Sequence, residues 1–373
     1  MRPLQIVHTE SSLGWGGQEM RVLSEAQGMI RRGHDVKLLC PPQARIRAES
    51  SNWGVPAVAL PIDRKRPAGL GALHQWFGAH RIDIVNTHSS TDSWLAALAL
   101  LALGRTARLV RTRHISAPVP RGPLSRWLYM RAAARVVTTG EALKAQLVER
   151  NGFRASRIES VPTGIDAGRF RPGERKAARA KFGLPQERTL VGIVATLRSW
   201  KGHALLLEAM TRLPASIELV IVGDGPQREA LEKKVEQLGL CGRVRMPGQQ
   251  ADVLPWLRAL DVFALPSYAN EGVPQALVQA MLVELPCVTT PIGGIPELAE
   301  HERTALLVPP RDAAALAAAI ERLAGDQGLR RELGEAARKH CVEGYSYERM
   351  LDRMEAIYGD VAGEREVGLR ELN

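Results

Sequence analysis

The chain has 373 residues, of which 45% are hydrophobic and 24% charged, and its formal net charge is +10. That is long enough for two domains with full cores and ordinary for a soluble globular protein. Four scattered cysteines (Cys40, Cys241, Cys287, Cys341), with no C-x-x-C pair, suit a reducing cytosol and argue against a zinc site. The first residues, LQIVHT, already read as a strand, so no secretory leader is expected. The apolar run WLAALALLAL (94–103) is ten residues long. A spanning helix needs about twenty, so this run reads as a buried core helix.

In chain order, short β-rich runs alternate with helical periodicity. Strands are expected at 4–9, 35–40, 57–60, 83–87, 109–114 and 136–139, with helices at 18–31, 70–79, 93–103, 123–133 and 142–150. After the proline-bearing stretch 162–172 the pattern restarts. Strands at 189–196, 217–222, 244–246, 262–265 and 287–289 alternate with helices at 203–212, 227–238, 253–259, 276–282 and 313–324. A last helix is expected at about 347–358. Such alternation predicts mostly parallel, doubly wound α/β sheets, which bind ligands beyond the carboxyl ends of their strands. The restart predicts two domains, 1–165 and 166–345, followed by a terminal segment, 346–373.

Charge is unevenly placed. Residues 1–150 hold 21 Lys and Arg against 10 Asp and Glu, while the remainder holds 29 against 30. Within the first half, 93–140 contains eight arginines and no acidic residue. The stretch from Asp261 onward is the most informative. DVFALPS (261–267) reads as a buried strand stopped by turn residues, Glu271 then precedes Gly272 and Pro274, and 276–282 reads as a helix. A carboxylate and free backbone N–H groups thus converge at a helix N-terminus, where an anion is welcome. Gln279 follows eight positions after Glu271, about two turns further on.

This stretch resembles the Glu-x7-Glu signature of the retaining GT-B glycosyltransferases of family 4, the group 1 glycosyl transferases, with Gln279 in place of the second Glu. GWGGQE (14–19), RRGHDV (31–36), VPTGIDAGRFRP (161–172), LRSWKG (197–202), IVGDGP (221–226) and PIGGIPEL (291–298) fit the same family, in order and almost end to end. The resemblance implies a GT-B fold, two Rossmann-like domains facing a cleft. The first would bind the acceptor and the second the nucleotide sugar, and the C-terminal helix would pack back on the first.

It also implies roles. Glu271 holds hydroxyls of the donor sugar, and a carboxylate suits this because it accepts two of them at once. Gln279 accepts a ribose hydroxyl through its amide oxygen. The backbone of Gly272, Val273, Pro274 and Gln275 faces the diphosphate, although Pro274 has no N–H to give. Arg198 and Lys201 stabilise the departing nucleoside diphosphate. The family's Arg stands five residues before the Lys, where this chain has Thr196. Gly223 is a further donor contact, and Gly293, Gly294 and Glu297 form a turn that closes over the donor. Gly14, Gly16 and Gly17 allow close approach of donor phosphates or acceptor, or else form an ordinary strand-to-helix turn; they make no G-x-G-x-x-G fingerprint. His114 binds the transferred sugar or steadies charge, with His88 a weaker match. Arg113 steers an anionic acceptor, and Glu10 and Gln18 contact the acceptor.

No D-x-D occurs in the chain and no His/Asp cluster has ligand spacing, so no metal and no cofactor are expected. The expected function is retaining, metal-independent sugar transfer from a UDP-, GDP- or ADP-sugar to a bacterial envelope acceptor. Lipopolysaccharide core stands first, ahead of other lipid-linked glycans. The expected place is cytoplasmic and peripheral at the inner face of the membrane. There the arginine-rich stretch, with Trp127 and Tyr129, rests on an anionic leaflet, binds a phosphorylated glycolipid, or is simply a solvated surface. A nucleotide-sugar epimerase or hydrolase of the same fold is the alternative. A nucleic-acid partner is not expected, because it explains the charge only and no such motif is present.

Overall fold

The computed structural model describes residues 2–104, 108–115, 117–269 and 271–370, with side chains to Gly363. The chain forms two compact units, one of Met1–Thr163 with Glu348–Asn373 and one of Gly164–Tyr347. In the first, strands β1 (Gln5–Thr9), β2 (Asp35–Cys40), β3 (Ala57–Ala59), β4 (Ile84–Thr87), β5 (Leu109–Arg113), β6 (Ala133–Thr138) and β7 (Ile158–Ser160) alternate with six helices. These are α1 (Gly17–Arg31), α2 (Arg45–Ser50), α3 (Pro67–Ala79), α4 (Ser90–Ala102), α5 (Pro123–Trp127) and α6 (Glu141–Asn151). The second unit runs α7 (Arg175–Lys181), β8 (Thr189–Val194), α8 (His203–Met210), β9 (Ile217–Val222), α9 (Arg228–Gln237), β10 (Val244–Gly248), α10 (Leu254–Ala259) and β11 (Val262–Leu265). It continues with α11 (Gln275–Leu282), β12 (Cys287–Thr289), β13 (Leu306–Leu307), α12 (Ala313–Gly325) and α13 (Gln327–Gly344). Helix α14 (Tyr347–Arg370) follows.

Both sheets are parallel among the described residues, in the orders β3-β2-β1-β4-β5-β6-β7 and β10-β9-β8-β11-β12-β13. Helices cover both faces, which is why strands such as VFAL in β11 are buried at every position and carry no polar alternation. The strand order reverses between β1 and β4 in one sheet and between β8 and β11 in the other. These are the topological switch points, and the crevice beyond their carboxyl ends is where an open α/β sheet takes its ligand.

Each unit has its own apolar core. Leu206, Leu219, Phe263, Leu277 and Met281 lie in one, and Leu39, Phe77, Val85 and Val136 in the other. Helix α14 buries Met350, Leu351, Met354, Ile357, Tyr358 and Val361, a stripe at helical spacing, within the first unit. Its hydrophilic face is tied to Arg32, which reaches Glu348, Asp352 and Glu355 at 2.7–2.8 Å.

Three local expectations change. The segment expected as one helix over 123–133 is a five-residue helix followed by a π-helical turn, Leu128–Ala132, that runs straight into β6. Helices α2, α7 and α13 were not expected from the sequence, nor were strands β7 and β13. The arginine-rich stretch is also not a uniform surface. Arg111 is buried, bonding Ser89 O and Ser93 Oγ, and Arg108 and Arg113 donate to the carbonyls of Ile82 and Ala117. Arg105 lies outside the described residues; among those described, Arg121, Arg126 and Arg131 are the arginines of the stretch that stay exposed, and Leu124 is 70% exposed.

Candidate active site

In the second unit the loop after β8 carries Arg198 and Lys201, and the loop after β11 carries Glu271. The Lys201 Nζ donates to both carboxylate oxygens of Glu271, at 2.7 and 3.0 Å. Ser267 Oγ donates to the same carboxylate at 2.6 Å. Glu271 is buried, and a carboxylate so placed needs both a cation and a hydrogen bond. Helix α11 begins four residues on, with Pro274 at its cap in extended conformation and Gln275 in the first turn. The first turn of that helix, with the positive end of its dipole, is therefore close in sequence to the Lys201–Glu271 pair.

Two glycines explain how these loops come so close. A Cβ on Gly293 would stand 2.1 Å from the Glu271 carbonyl oxygen, and one on Gly202 2.1 Å from that of Pro266. Both residues have positive φ, +61° and +80°, which glycine adopts without strain. Gly294 N–H donates to Glu271 O, so the turn after β12 holds the backbone of Glu271 directly. Glu297 ends that turn in a short 3₁₀ segment, Ile295–Glu297. Gly223 directly follows β9, facing the carbonyl of Ala195. Val273 is buried and Gln279 half-buried on α11. Arg198 does not join the pair: it is exposed, with its guanidinium over the Trp200 ring.

In the first unit the expected residues also stand at strand carboxyl ends. Glu10 follows β1 and is fully buried; its carboxyl accepts from Ser12 N–H, Ser89 Oγ and Gln18 Nε2 at 2.8, 2.7 and 2.6 Å. Glu10 and Gln18 are thus brought together, and Glu10 is engaged inside the protein. Burial, followed by the charges of Asp92 and Glu19, pushes the Glu10 carboxyl up to about 8. Gly16 caps α1 and Gly17 opens it, beyond the same strand. His88 follows β4 and His114 follows β5. The His88 Nδ1 lies 3.0 Å from His114 Nε2, and His88 Nε2 lies 2.9 Å from Nδ1 of His8, inside β1. Burial holds all three rings below the ordinary histidine range; the neighbouring Arg21 cation adds to this at each ring, while Glu25 opposes it at His8. Arg113 donates to the Tyr129 hydroxyl at 3.3 Å and to the Ala117 carbonyl. Among the described residues no group of three or more His, Cys, Asp or Glu is arranged to hold a metal ion.

Two family descriptions match the chain. Residues 15–169 match Glycosyltransferase Family 4, and residues 174–340 match Glycosyl transferases group 1. The chain is a group 1 glycosyltransferase. Among its relatives, a D-inositol 3-phosphate glycosyltransferase of Mycobacterium tuberculosis is 29% identical, over 94% of this chain and 80% of that protein. Among solved structures, HepE of Anabaena in complex with UDP-glucose has a TM-score of 0.86 at 22% identity, covering 96% of this chain and 100% of HepE. WaaG, a glycosyltransferase involved in lipopolysaccharide biosynthesis, has a TM-score of 0.73 at 18% identity, covering 95% and 99%. These likenesses give the glycosyltransferase its GT-B fold of two Rossmann-like domains.

Four residues of this glycosyltransferase's candidate site escape sequence reasoning. Ser267 is the third partner of the Lys201–Glu271 pair, and its only signal is a serine four residues before the acid. Ser89 and Asp92 form the capping box of α4, and both also reach the switch point, through Glu10 and Thr9. His8 sits within an apolar strand, where a lone histidine reads as core.

Proposed function

We propose that this glycosyltransferase takes its sugar from a nucleoside diphosphate donor held in the second unit, and transfers it with retention of anomeric configuration. The observation that carries the reading is the Lys201–Glu271–Ser267 cluster at the β8/β11 switch point, beside the first turn of α11. Glu271 would exchange Lys201 for hydroxyls of the sugar, freeing the ammonium for the diphosphate. Gln279, a little over one turn into α11, would accept from the ribose. The bond from the anomeric carbon to the phosphate oxygen breaks as the acceptor oxygen attacks from the same face, and the leaving phosphate takes the acceptor's proton. Lys201 and the N–H dipoles of α11 stabilise the leaving charge, so the chemistry asks for no divalent cation; Arg198 would assist only after leaving Trp200. In the first unit His114 would meet the transferred sugar. Gln18, aligned by Glu10, together with Arg113 would meet the acceptor.

The acceptor in this reading is an anionic envelope glycoconjugate, lipopolysaccharide core or another lipid-linked glycan, reached at a membrane surface. The exposure of Arg121, Arg126, Arg131 and Leu124 supports it. So does the naming of WaaG for lipopolysaccharide biosynthesis, while the relative named for inositol 3-phosphate shares the anionic character alone. A thermal-shift panel of UDP-, GDP- and ADP-sugars tests the donor. One nucleotide sugar should raise the melting temperature in proportion to the logarithm of its concentration. No shift with any member contradicts the reading. Incubating that donor alone separates transfer from the epimerase or hydrolase alternative, since transfer predicts slow consumption until an acceptor is added.

A further inference from the structure

The three histidines are joined by the same pair of atoms at each step: Nδ1 of His8 meets Nε2 of His88, and Nδ1 of His88 meets Nε2 of His114. Ring centroids are 5.1 and 5.2 Å apart while the facing nitrogens are 2.9 and 3.0 Å apart. Each contact therefore runs along the line between the rings, edge to edge, and the first pair is nearly coplanar at 11°. With all three rings below the ordinary histidine range, each is uncharged at neutral pH and carries one N–H and one bare nitrogen. A hydrogen bond between two such rings needs the N–H from one and the lone pair from the other.

The constraint then propagates. If His8 carries its proton on Nδ1, His88 must carry it on Nδ1, and so must His114. If His114 carries it on Nε2, so must the other two. Any mixture sets two N–H groups, or two lone pairs, against each other at about 3 Å, which no buried pair sustains. The two ends of the chain differ. The inner one, His8 Nε2, is buried without a partner among the described residues. At the outer end His114 is half-buried, and its Nδ1 meets no partner among the described residues.

We propose that His8 and His88 are positioning residues that fix, as one unit, the tautomer in which His114 meets the transferred sugar. This rests on the reading of His114 as a sugar contact. The consequence is chemical: a sugar ring oxygen only accepts a hydrogen bond, so a His114 that exchanged tautomers freely would present the wrong nitrogen for part of the time.

The test is side-chain NMR of the whole protein labelled with 15N-histidine, each ring assigned by its own substitution and each tautomer read from two-bond and three-bond couplings. At neutral pH His8, His88 and His114 should all show the same tautomer. Different tautomers among the three overturn the proposal, and the tautomers themselves are read in the wild type, the substitutions serving only to assign the signals. In His88→Phe, which keeps a ring in the slot, His114 should become a tautomer mixture, and kcat should fall about tenfold with the donor KM little changed. Should His88→Phe not fold, His8→Phe removes only the inner anchor and should shift the His114 tautomer ratio; an unchanged ratio in both contradicts coupling. His114→Ala separates the two claims. Normal transfer by that variant removes the sugar contact and leaves the shared tautomer standing, whereas mixed tautomers in the wild type remove the proposal and leave the contact.

Discussion

Lys201 and Glu271 neutralise each other across 2.7 Å, with the carboxylate only 4% exposed, so each depends on the other for its charge. Lys201→Met leaves that carboxylate with Ser267 as its remaining partner, and should lower stability by about 1–3 kcal/mol in urea unfolding. Glu10 behaves differently. A carboxyl whose folded value is raised stabilises the fold fully below the unfolded value of 4.5, and that contribution is lost as pH rises through about 8. The urea midpoint should therefore decline between those limits in the wild type and decline less in Glu10→Gln. Parallel curves for the two proteins contradict the assignment. At this scale Glu271, Lys201 and His114 are legible in the sequence because each stands just past a strand. Their partners are not. Ser267 and His8 acquire roles only when the loops and parallel strands meet, and nothing in the run QIVHT distinguishes a histidine that bonds across two strands from one that fills space.

The elements that were legible are those with clean periodicity. Strands at 35–40, 217–222, 262–265 and 287–289 are found with the expected bounds. Helix α13 was missed because it is polar and carries Gly328 and Gly334, which lower helix propensity. Its reason is tertiary, since a Cβ on Gly334 would meet the Glu284 carbonyl at 2.2 Å, and only glycine permits that approach. The same geometry at Gly293 makes a prediction for the turn after β12. Gly293→Ala places a methyl group against the Glu271 carbonyl on a backbone with φ of +61°. It should cost about 1–3 kcal/mol of stability and lower transfer well beyond what that loss explains, because the loop that moves is the one carrying Glu271. Full activity in Gly293→Ala contradicts the packing of that turn against the site.

For the molecule as a whole, the two-sheet plan was readable from a strand–helix pattern that stops near 162–172 and starts again. The net charge was a poorer guide. Of the eight arginines in 93–140, Arg108, Arg111 and Arg113 are used to bond carbonyl and hydroxyl groups inside the first unit. Composition cannot separate such internal cations from surface ones. The exposed set predicts that the protein floats with vesicles containing anionic lipid at low salt and is released as ionic strength rises. Arg121→Ser with Arg126→Ser and Arg131→Ser should abolish flotation while sparing transfer to a soluble acceptor. Equal flotation by the triple variant argues against this surface. No helix among the described residues is long and apolar enough to cross a membrane.

The donor site is tested most directly by comparing wild type and Glu271→Ala with the nucleotide sugar that stabilises the wild type best, reading binding and turnover together. The free nucleoside diphosphate should bind the variant at least as tightly as the wild type, because the first turn of α11 remains and Lys201 is no longer held by the carboxylate. The variant should lose the extra affinity for the sugar-bearing form, and its kcat/KM for transfer should fall by about a hundredfold or more. Near-normal turnover by Glu271→Ala would contradict the account.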